Sequence, residues 1–245
     1  MKILDLGRLD TPLVLFGGPY SNLQASEALL SFAGREGFAP SQMICTGDLV
    51  AYCGQPAETV ALFRNFGCPI LAGNCEEQLA ANALDCGCGF EDGTACDLLS
   101  AGWYAHANAK IGAGDRSWMA KLPEIIRFEH AGKVYSVVHG GATAINRFLW
   151  SVSPDELFLE EFECLSRVFG EFDCVVSGHS GIAFRREVAG KTWINAGAIG
   201  LPANNGQRTT EFVTLFDGHV EFHKLAYDAE QAHANMVTAG LTQGY

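Results

Sequence analysis

Four polar residues stand in the same local setting along the chain. Thr46-Gly47-Asp48 follows the apolar run Met43-Ile44-Cys45, and Ala72-Gly73-Asn74 follows Pro69-Ile70-Leu71. Val138-His139-Gly140 and Ser177-Gly178-His179 close two later apolar runs. Loops at strand tips vary while the sheet stays rigid, so such tips form the usual edge of a site in α/β proteins. If the strands run parallel, Asp48, Asn74, His139 and His179 converge on one crevice. Two imidazoles, a carboxylate and an amide oxygen suit zinc, manganese or iron better than calcium or magnesium. The neighbouring glycines let the backbone turn sharply and come close to a ligand. Singly, an Asp after a strand is a turn former and a lone His a satisfied core or surface residue. One arrangement repeated at four strand ends makes a shared divalent ion the expectation.

Those tips need a sheet to hold them. Short apolar runs alternate with helical patterns, which is the signature of a layered α/β fold. Leu13-Val14-Leu15-Phe16 reads as a buried strand, followed by the turn-rich Gly17-Gly18-Pro19-Tyr20-Ser21-Asn22. Ala25, Ala28, Leu29 and Phe32 then fall on one helix face, with Gly34 and Gly37 ending the helix. Pro56 opens a second helix carrying Val60 and Phe63, and Pro69-Ile70-Leu71 reads as a third short strand. His130-Ala131-Gly132-Lys133 joins two apolar runs as a hairpin. Ser153, Pro154 and Glu156 read as N-cap, first helical position and capping box of a helix striped by Phe158, Phe162, Leu165 and Phe169. Strands alternate through 182–225, and the last fifteen or so residues read as a loosely held tail. Residues 84–117 read as an irregular insertion within a single domain spanning 1–245.

Composition narrows the function classes. Apolar residues make up 48% and charged residues 18%, which excludes a disordered chain. Acidic residues outnumber basic ones 28 to 16, for a net charge of −12, so a charge-driven grip on nucleic acid or anionic lipid is not expected. No apolar run is long enough to span a membrane, and Asp5 and Asp10 interrupt the stretch a signal peptide would need. Nine cysteines in a chain that can build a core without staples read as reduced thiols of a cytoplasmic protein.

The ordered motifs resemble the calcineurin-like metallophosphoesterases, in their small bacterial phosphodiesterase branch, from about Leu13 to Leu215. Gly47-Asp48, Gly73-Asn74-Cys75-Glu76, Val138-His139-Gly140 and Gly178-His179 fall in that family's order, and Asn195-Ala196-Gly197-Ala198-Ile199-Gly200-Leu201-Pro202 matches a later segment. The resemblance implies two packed mixed β-sheets flanked by helices, an αββα sandwich. It implies a metal-dependent phosphoesterase acting on phosphodiesters or small organic phosphates, with Asp48, Asn74, His139 and His179 as metal ligands. Asp48, His139 and Cys75 are then the catalytic candidates. Cys75 stands where the family has a His that protonates the leaving group; a thiol can do so, or Cys75 is a small apolar filler.

The departures bear on metal count. Aligned on the family, Gly18 replaces an Asp, Tyr20 a His and Gly181 a second His, so of the first metal's ligands only Asp48 remains. One transition-metal ion (manganese, iron or zinc) is therefore expected rather than two. Gly18 and Tyr20 lie in a glycine loop before a helix, which is either an anion site offered to substrate phosphate or a plain tight turn. Arg147 is either a phosphate clamp or a surface arginine. Cys86, Cys88 and Cys96 are off ordinary zinc spacing; buried reduced thiols or a redox pair fit better, with His106 the conceivable fourth ligand of a metal site. Glu76 reads as a cap of the helix that follows, and Glu160-Glu161-Phe162-Glu163 as a solvated helix face. A relative that binds metal or a phosphorylated ligand without turnover is the alternative, and a pure interaction protein a third.

Overall fold

The computed structural model describes residues 2–89 and 93–242, with backbone only at 95–98. Its elements in chain order are β1 (Ile3–Arg8), β2 (Leu13–Phe16), α1 (Leu23–Glu36), a 3-10 turn (Pro40–Gln42), β3 (Met43–Cys45), α2 (Pro56–Phe66) and α3 (Asn74–Ala80). There follow α4 (Ala95–Lys110), α5 (Ala113–Met119), β4 (Ile125–His130), β5 (Lys133–Val137) and α6 (Asp155–Phe169). The chain continues with β6 (Cys174–Ser177), β7 (Phe184–Val188), β8 (Lys191–Asn195), β9 (Thr210–Phe216), β10 (His219–Leu225) and α7 (Ala229–Thr238).

The strands form two mixed sheets, one ordered β1-β4-β5-β6-β8-β7 and the other β10-β9-β2-β3. In the first, β5, β6 and β8 run parallel, so the segments after β5 and β6 leave the sheet at the same end. In the second, β2 and β3 are parallel, with Val14, Leu15 and Phe16 opposite Met43, Ile44 and Cys45.

Alternation along the strands makes the layers. Leu13 and Leu15 of β2 pack with Ile126 and Phe128 of β4, Val137 of β5 and Val176 of β6, filling the space between the sheets. Val14 and Phe16 point the other way, into a cluster with Leu29 of α1 and Val60 and Phe63 of α2. Val175 and Trp193 face the outer side of the larger sheet, against Phe158, Phe162 and Leu165 of α6. A strand buried on both faces needs a continuous apolar run, which is why Leu13–Phe16 and Cys174–Ser177 lack the polar alternation of an exposed strand. The result is the expected αββα sandwich.

Several expectations need correction. The run at residues 69–71 makes a single bridge, Cys45 to Ile70, and no strand. Gly34 lies inside α1, and Gly37, at φ 79°, ends it. Helix α6 begins at Asp155, with Pro154 in extended conformation as its N-cap. Ser153 accepts instead from the Trp150 N–H, closing the turn before the helix. Residues 84–117 hold all of α4 and most of α5, and only their described residues before Ala95 are irregular as expected. The many small residues of α4 give weak hydrophobic contrast, yet Trp103, Tyr104 and Ala107 are buried. The supposed tail carries α7, capped by Asp228 accepting from the Gln231 N–H. Asn235 ties α7 to Gln55 at 2.6 Å and Gln24 at 3.3 Å. Among the described residues no helix is long and apolar enough to cross a membrane.

Candidate metal centre

Asp48, Asn74, His139 and His179 meet where β3, β5 and β6 end. Asp48 follows β3, Asn74 opens α3, His139 follows β5 and His179 follows β6. All four are buried. His139 Nε2 lies 3.0 Å from Asn74 Oδ1, 3.0 Å from His179 Nδ1 and 3.2 Å from Asp48 Oδ2. His179 Nδ1 is 4.0 Å from the same Asp48 oxygen.

Backbone chemistry fixes what these atoms offer. His139 Nδ1 sits 2.6 Å from the Thr46 carbonyl oxygen, which only accepts, so Nδ1 carries a proton. In the neutral ring Nε2 is then a bare lone pair, aimed at an amide oxygen, a carboxylate oxygen and a second imidazole nitrogen. One proton cannot serve all these acceptors. A cation can, and ligands from Asp48, His139 and His179 all lie within 4.8 Å of one another. The donor set therefore fits a divalent transition metal.

Glycines and a buried acid hold the approach. Gly47 and Asp48 are both left-handed, at φ 96° and 56°. A Cβ at Gly47 would lie 2.6 Å from the Gly73 nitrogen and 3.0 Å from His139 Nδ1. Glu76, wholly buried, accepts from the N–H groups of Asp48 at 2.8 Å, Gly73 at 2.9 Å and Val50 at 3.3 Å. It caps α3 as expected, and it also anchors the loop that carries Asp48. Asp48 Oδ1 accepts from the Cys75 N–H at 3.3 Å, leaving Oδ2 for the imidazoles.

Charge states follow from burial and neighbours. Burial works to raise the Asp48 carboxyl, but the charge and hydrogen bond of His139 outweigh it and hold the group below its ordinary value. His139 is opposed by burial, yet Asp48 raises it. His179 is pushed down to about 4 by burial and by His139, so its ring is neutral at physiological pH. Burial and the Asp48 charge push Glu76 up to about 7. Burial, then Asp48 and Glu76, raise the Cys75 thiol well above its ordinary value, so it is protonated at neutral pH. A proton donor needs that state, though such a thiol is a weak acid.

The position where the resemblance would put a first metal is filled by a ring. A Cβ built on Gly18 would lie 2.4 Å from Tyr20 Cζ, and one on Gly181 would lie 3.4 Å from the Tyr20 hydroxyl. Tyr20 thus lies over Gly18 and reaches toward Gly181, the two positions aligned with an Asp and a His. Behind it, Tyr20 packs edge-on against Tyr52 at 4.8 Å, and Tyr52 against Trp103 of α4 at 5.1 Å. Burial and nearby Asp48 raise the phenol well above its usual range, so it remains protonated.

The glycine loop is not an open anion cradle. Its Gly18, Tyr20 and Ser21 N–H groups donate to the carbonyls of Gly47, Asp48 and Leu49, and Asn22 donates to Pro19. The Asn22 side chain caps α1 at Ala25. Of the phosphate contacts proposed there, the Gly18 and Tyr20 N–H groups are already engaged. Arg147 is held by Glu160 at 2.5 Å and Glu161 at 3.7 Å rather than standing free as a clamp. Glu161 is wholly buried, against the expected solvated face, because it accepts from Ala142, Thr143 and the Thr143 hydroxyl in the loop after His139.

Cys86 and Cys88 are joined in a disulfide, which agrees with the redox-pair alternative for these cysteines and corrects the reading of all nine thiols as reduced. The Cys96 side chain lies outside the described residues. His106 faces the Gly54 carbonyl at 3.0 Å, not the cysteines. Sequence reasoning also missed Phe148, whose ring centroid lies 4.4 Å from that of His179. Its position nine residues after His139 carried no signal.

No protein-family model matches the chain. An uncharacterized protein of Methanocaldococcus jannaschii is 26% identical over 238 residues, covering 89% of this chain and 88% of its own. The crystal structure of a hypothetical protein from Pyrococcus horikoshii OT3 superposes with a TM-score of 0.78 at 14% identity, over 95% of each chain. That of a metallophosphoesterase from Sphaerobacter thermophilus does so with a TM-score of 0.71 at 20% identity, over 96% of each. Likeness at these identities is likeness of fold. With its two mixed sheets, flanking helices and strand-end polar cluster, the chain has the fold of the calcineurin-like metallophosphoesterases.

Proposed function

We propose that this protein is a metal-dependent phosphoesterase that hydrolyses phosphodiesters or small organic phosphates with one divalent ion per chain. Asp48, Asn74, His139 and His179 would hold the ion. The observation that carries the reading is the convergence of His139 Nε2, Asn74 Oδ1, His179 Nδ1 and Asp48 Oδ2 on one buried point, more acceptors than a single proton on Nε2 could serve. The chemistry such an ion supplies when bound is charge stabilisation at a phosphoryl oxygen and a lowered pKa for water. The chain's own residues do the rest. Thr46 fixes the His139 tautomer, Glu76 holds the Asp48 loop, and Cys75 keeps its proton beside the site. The Tyr20 hydroxyl, protonated and near Gly181, would donate a hydrogen bond to a phosphate oxygen where the family has a second ion.

The filled first site favours a second reading, a protein that binds metal and phosphate without turnover. One experiment separates the two. The apo-protein is loaded with Mn²⁺, Fe²⁺, Zn²⁺ or Ni²⁺, its metal content is measured, and bis-p-nitrophenyl phosphate is offered. The expected result is about one ion per chain, turnover abolished by chelator, and loss of most metal in His179→Ala. Bound metal with no turnover selects the second reading. No bound metal removes both.

A further inference from the structure

Asn74 is an unusual candidate ligand, because an amide can present either its oxygen or its NH₂ to the same point. What sets its orientation here is the loop of residues 85–89. Asn74 Nδ2 donates to the Cys86 carbonyl at 2.8 Å, with Cys88 Sγ and Cys75 Sγ each 3.5 Å away. That bond turns Oδ1 toward His139 Nε2. Without the Cys86 acceptor, only two sulfurs at 3.5 Å, weak acceptors, hold the NH₂ end in place, and an NH₂ group turned to the ion point would repel a cation.

The carbonyl is held by a closed ring. Cys86 and Cys88 are bonded across Gly87, and Gly87 donates to Asp85 at 2.8 Å and accepts from Asn146 at 3.0 Å. Gly87 is left-handed at φ 62°, and a Cβ there would lie 2.9 Å from the Gln78 side chain, so the loop packs down on the helix that Asn74 opens. Both sulfurs are buried, yet the loop lies at the molecular surface beside Leu84, which is 92% exposed.

We propose that the Cys86–Cys88 disulfide positions the metal ligand Asn74, so that reducing it weakens metal binding. This rests on the metal reading above. In the step, a dithiol gives two electrons and two protons. The Cys86–Cys88 bond breaks to two thiols, and the dithiol closes to its own disulfide. The freed loop then no longer fixes the Cys86 carbonyl against the Asn74 amide.

The test compares full-length protein in two states. Air-oxidised protein is one; the other is protein reduced with dithiothreitol and desalted without oxygen. Mass mapping after alkylation checks the cysteines, and Co²⁺ is titrated by visible absorption. Reduction and the Cys86→Ser/Cys88→Ser variant are each expected to weaken Co²⁺ binding roughly tenfold or more, as loss of a ligand-orienting partner does. In Asn74→Ala, oxidised and reduced protein should bind alike. Equal affinity in both states of the unaltered protein overturns the proposal, even if reduction lowers the melting temperature. So does free Cys86 and Cys88 after air oxidation. Oxidised protein that binds no Co²⁺ at all removes the metal reading itself, and the proposal with it.

Discussion

His139 and Glu76 show how single backbone contacts decide the state of this site. The Thr46 carbonyl commits His139 to one tautomer. Three backbone N–H groups make Glu76 the anchor of the Asp48 loop. Removing that anchor leaves buried donors unpaired, each costing about 1–3 kcal/mol. Glu76→Ala should therefore lose on the order of 3 kcal/mol or more in urea unfolding, and metal affinity should fall about 10–100-fold. Glu76→Gln, which keeps an acceptor, should lose less on both measures. Wild-type metal affinity in Glu76→Ala would show that Asp48 is held by something else. A second residue-scale prediction concerns the filled first site. Gly18→Asp alone sets a side chain into the Tyr20 ring at a backbone φ of 46°, so it should cost roughly 1–3 kcal/mol and add no ion. Gly18→Asp with Tyr20→His removes the ring and restores two ligands. It should regain part of that stability and raise the metal count above one per chain by elemental analysis. If Gly18→Asp alone proves as stable as the parent, Tyr20 does not occupy that space in solution.

At the scale of elements, the segment between α3 and β4 has a defined task. Helix α4 brings Trp103 against Tyr52, and Tyr52 against Tyr20, so a helix outside the sandwich supports a side chain at the site. Trp103 is 2% exposed, and large-to-small changes at such positions cost about 3–5 kcal/mol. Trp103→Ala should lose stability in that range by urea denaturation. The conservative Trp103→Phe should lose clearly less, because it keeps most of the ring contact. A loss below about 1 kcal/mol in Trp103→Ala would mean that α4 is not packed against this stack. The periodicity of α4 was hidden because its alanines and glycine are neutral in an apolar pattern. Helix α7 was hidden for the opposite reason: Ala232 and Met236 are its only residues below a tenth exposed, too few for a visible stripe.

For the whole molecule, the site links the two sheets. Asp48 comes from the smaller sheet, and His139 and His179 from the larger, so an ion held between them would resist their separation. Binding to the folded state alone adds about 2.7 kcal/mol at a hundredfold excess over Kd. At about 2–4 °C per kcal/mol for a chain of this size, the melting temperature should rise by roughly 5–11 °C with saturating Mn²⁺ or Zn²⁺. Chelator should reverse the rise, and His179→Ala should abolish it. A melting curve indifferent to metal in the unaltered protein would count against an ion bridging the sheets.

The sequence by itself determined the layered fold and the four converging residues. Strands buried on both faces must be apolar throughout, and a polar residue beside glycine, commonplace once, points to a shared site when it recurs after four apolar runs. Both signals are local, so they survive without coordinates. The same holds for the Asp and His residues that the resemblance leads one to expect at positions 18, 20 and 181, where the sequence has Gly, Tyr and Gly. Only the tertiary structure decided what those gaps contain. That Tyr20 folds over Gly18 is a choice of side-chain direction, while the donation of the Gly18, Tyr20 and Ser21 N–H groups to residues 47–49 and the grip of Glu160 and Glu161 on Arg147 are contacts between separate segments. The partnership of Asn74 with the Cys86 carbonyl is another, since an amide's orientation depends on an acceptor twelve residues away. Spacing names the residues that can meet; packing decides which way each one faces.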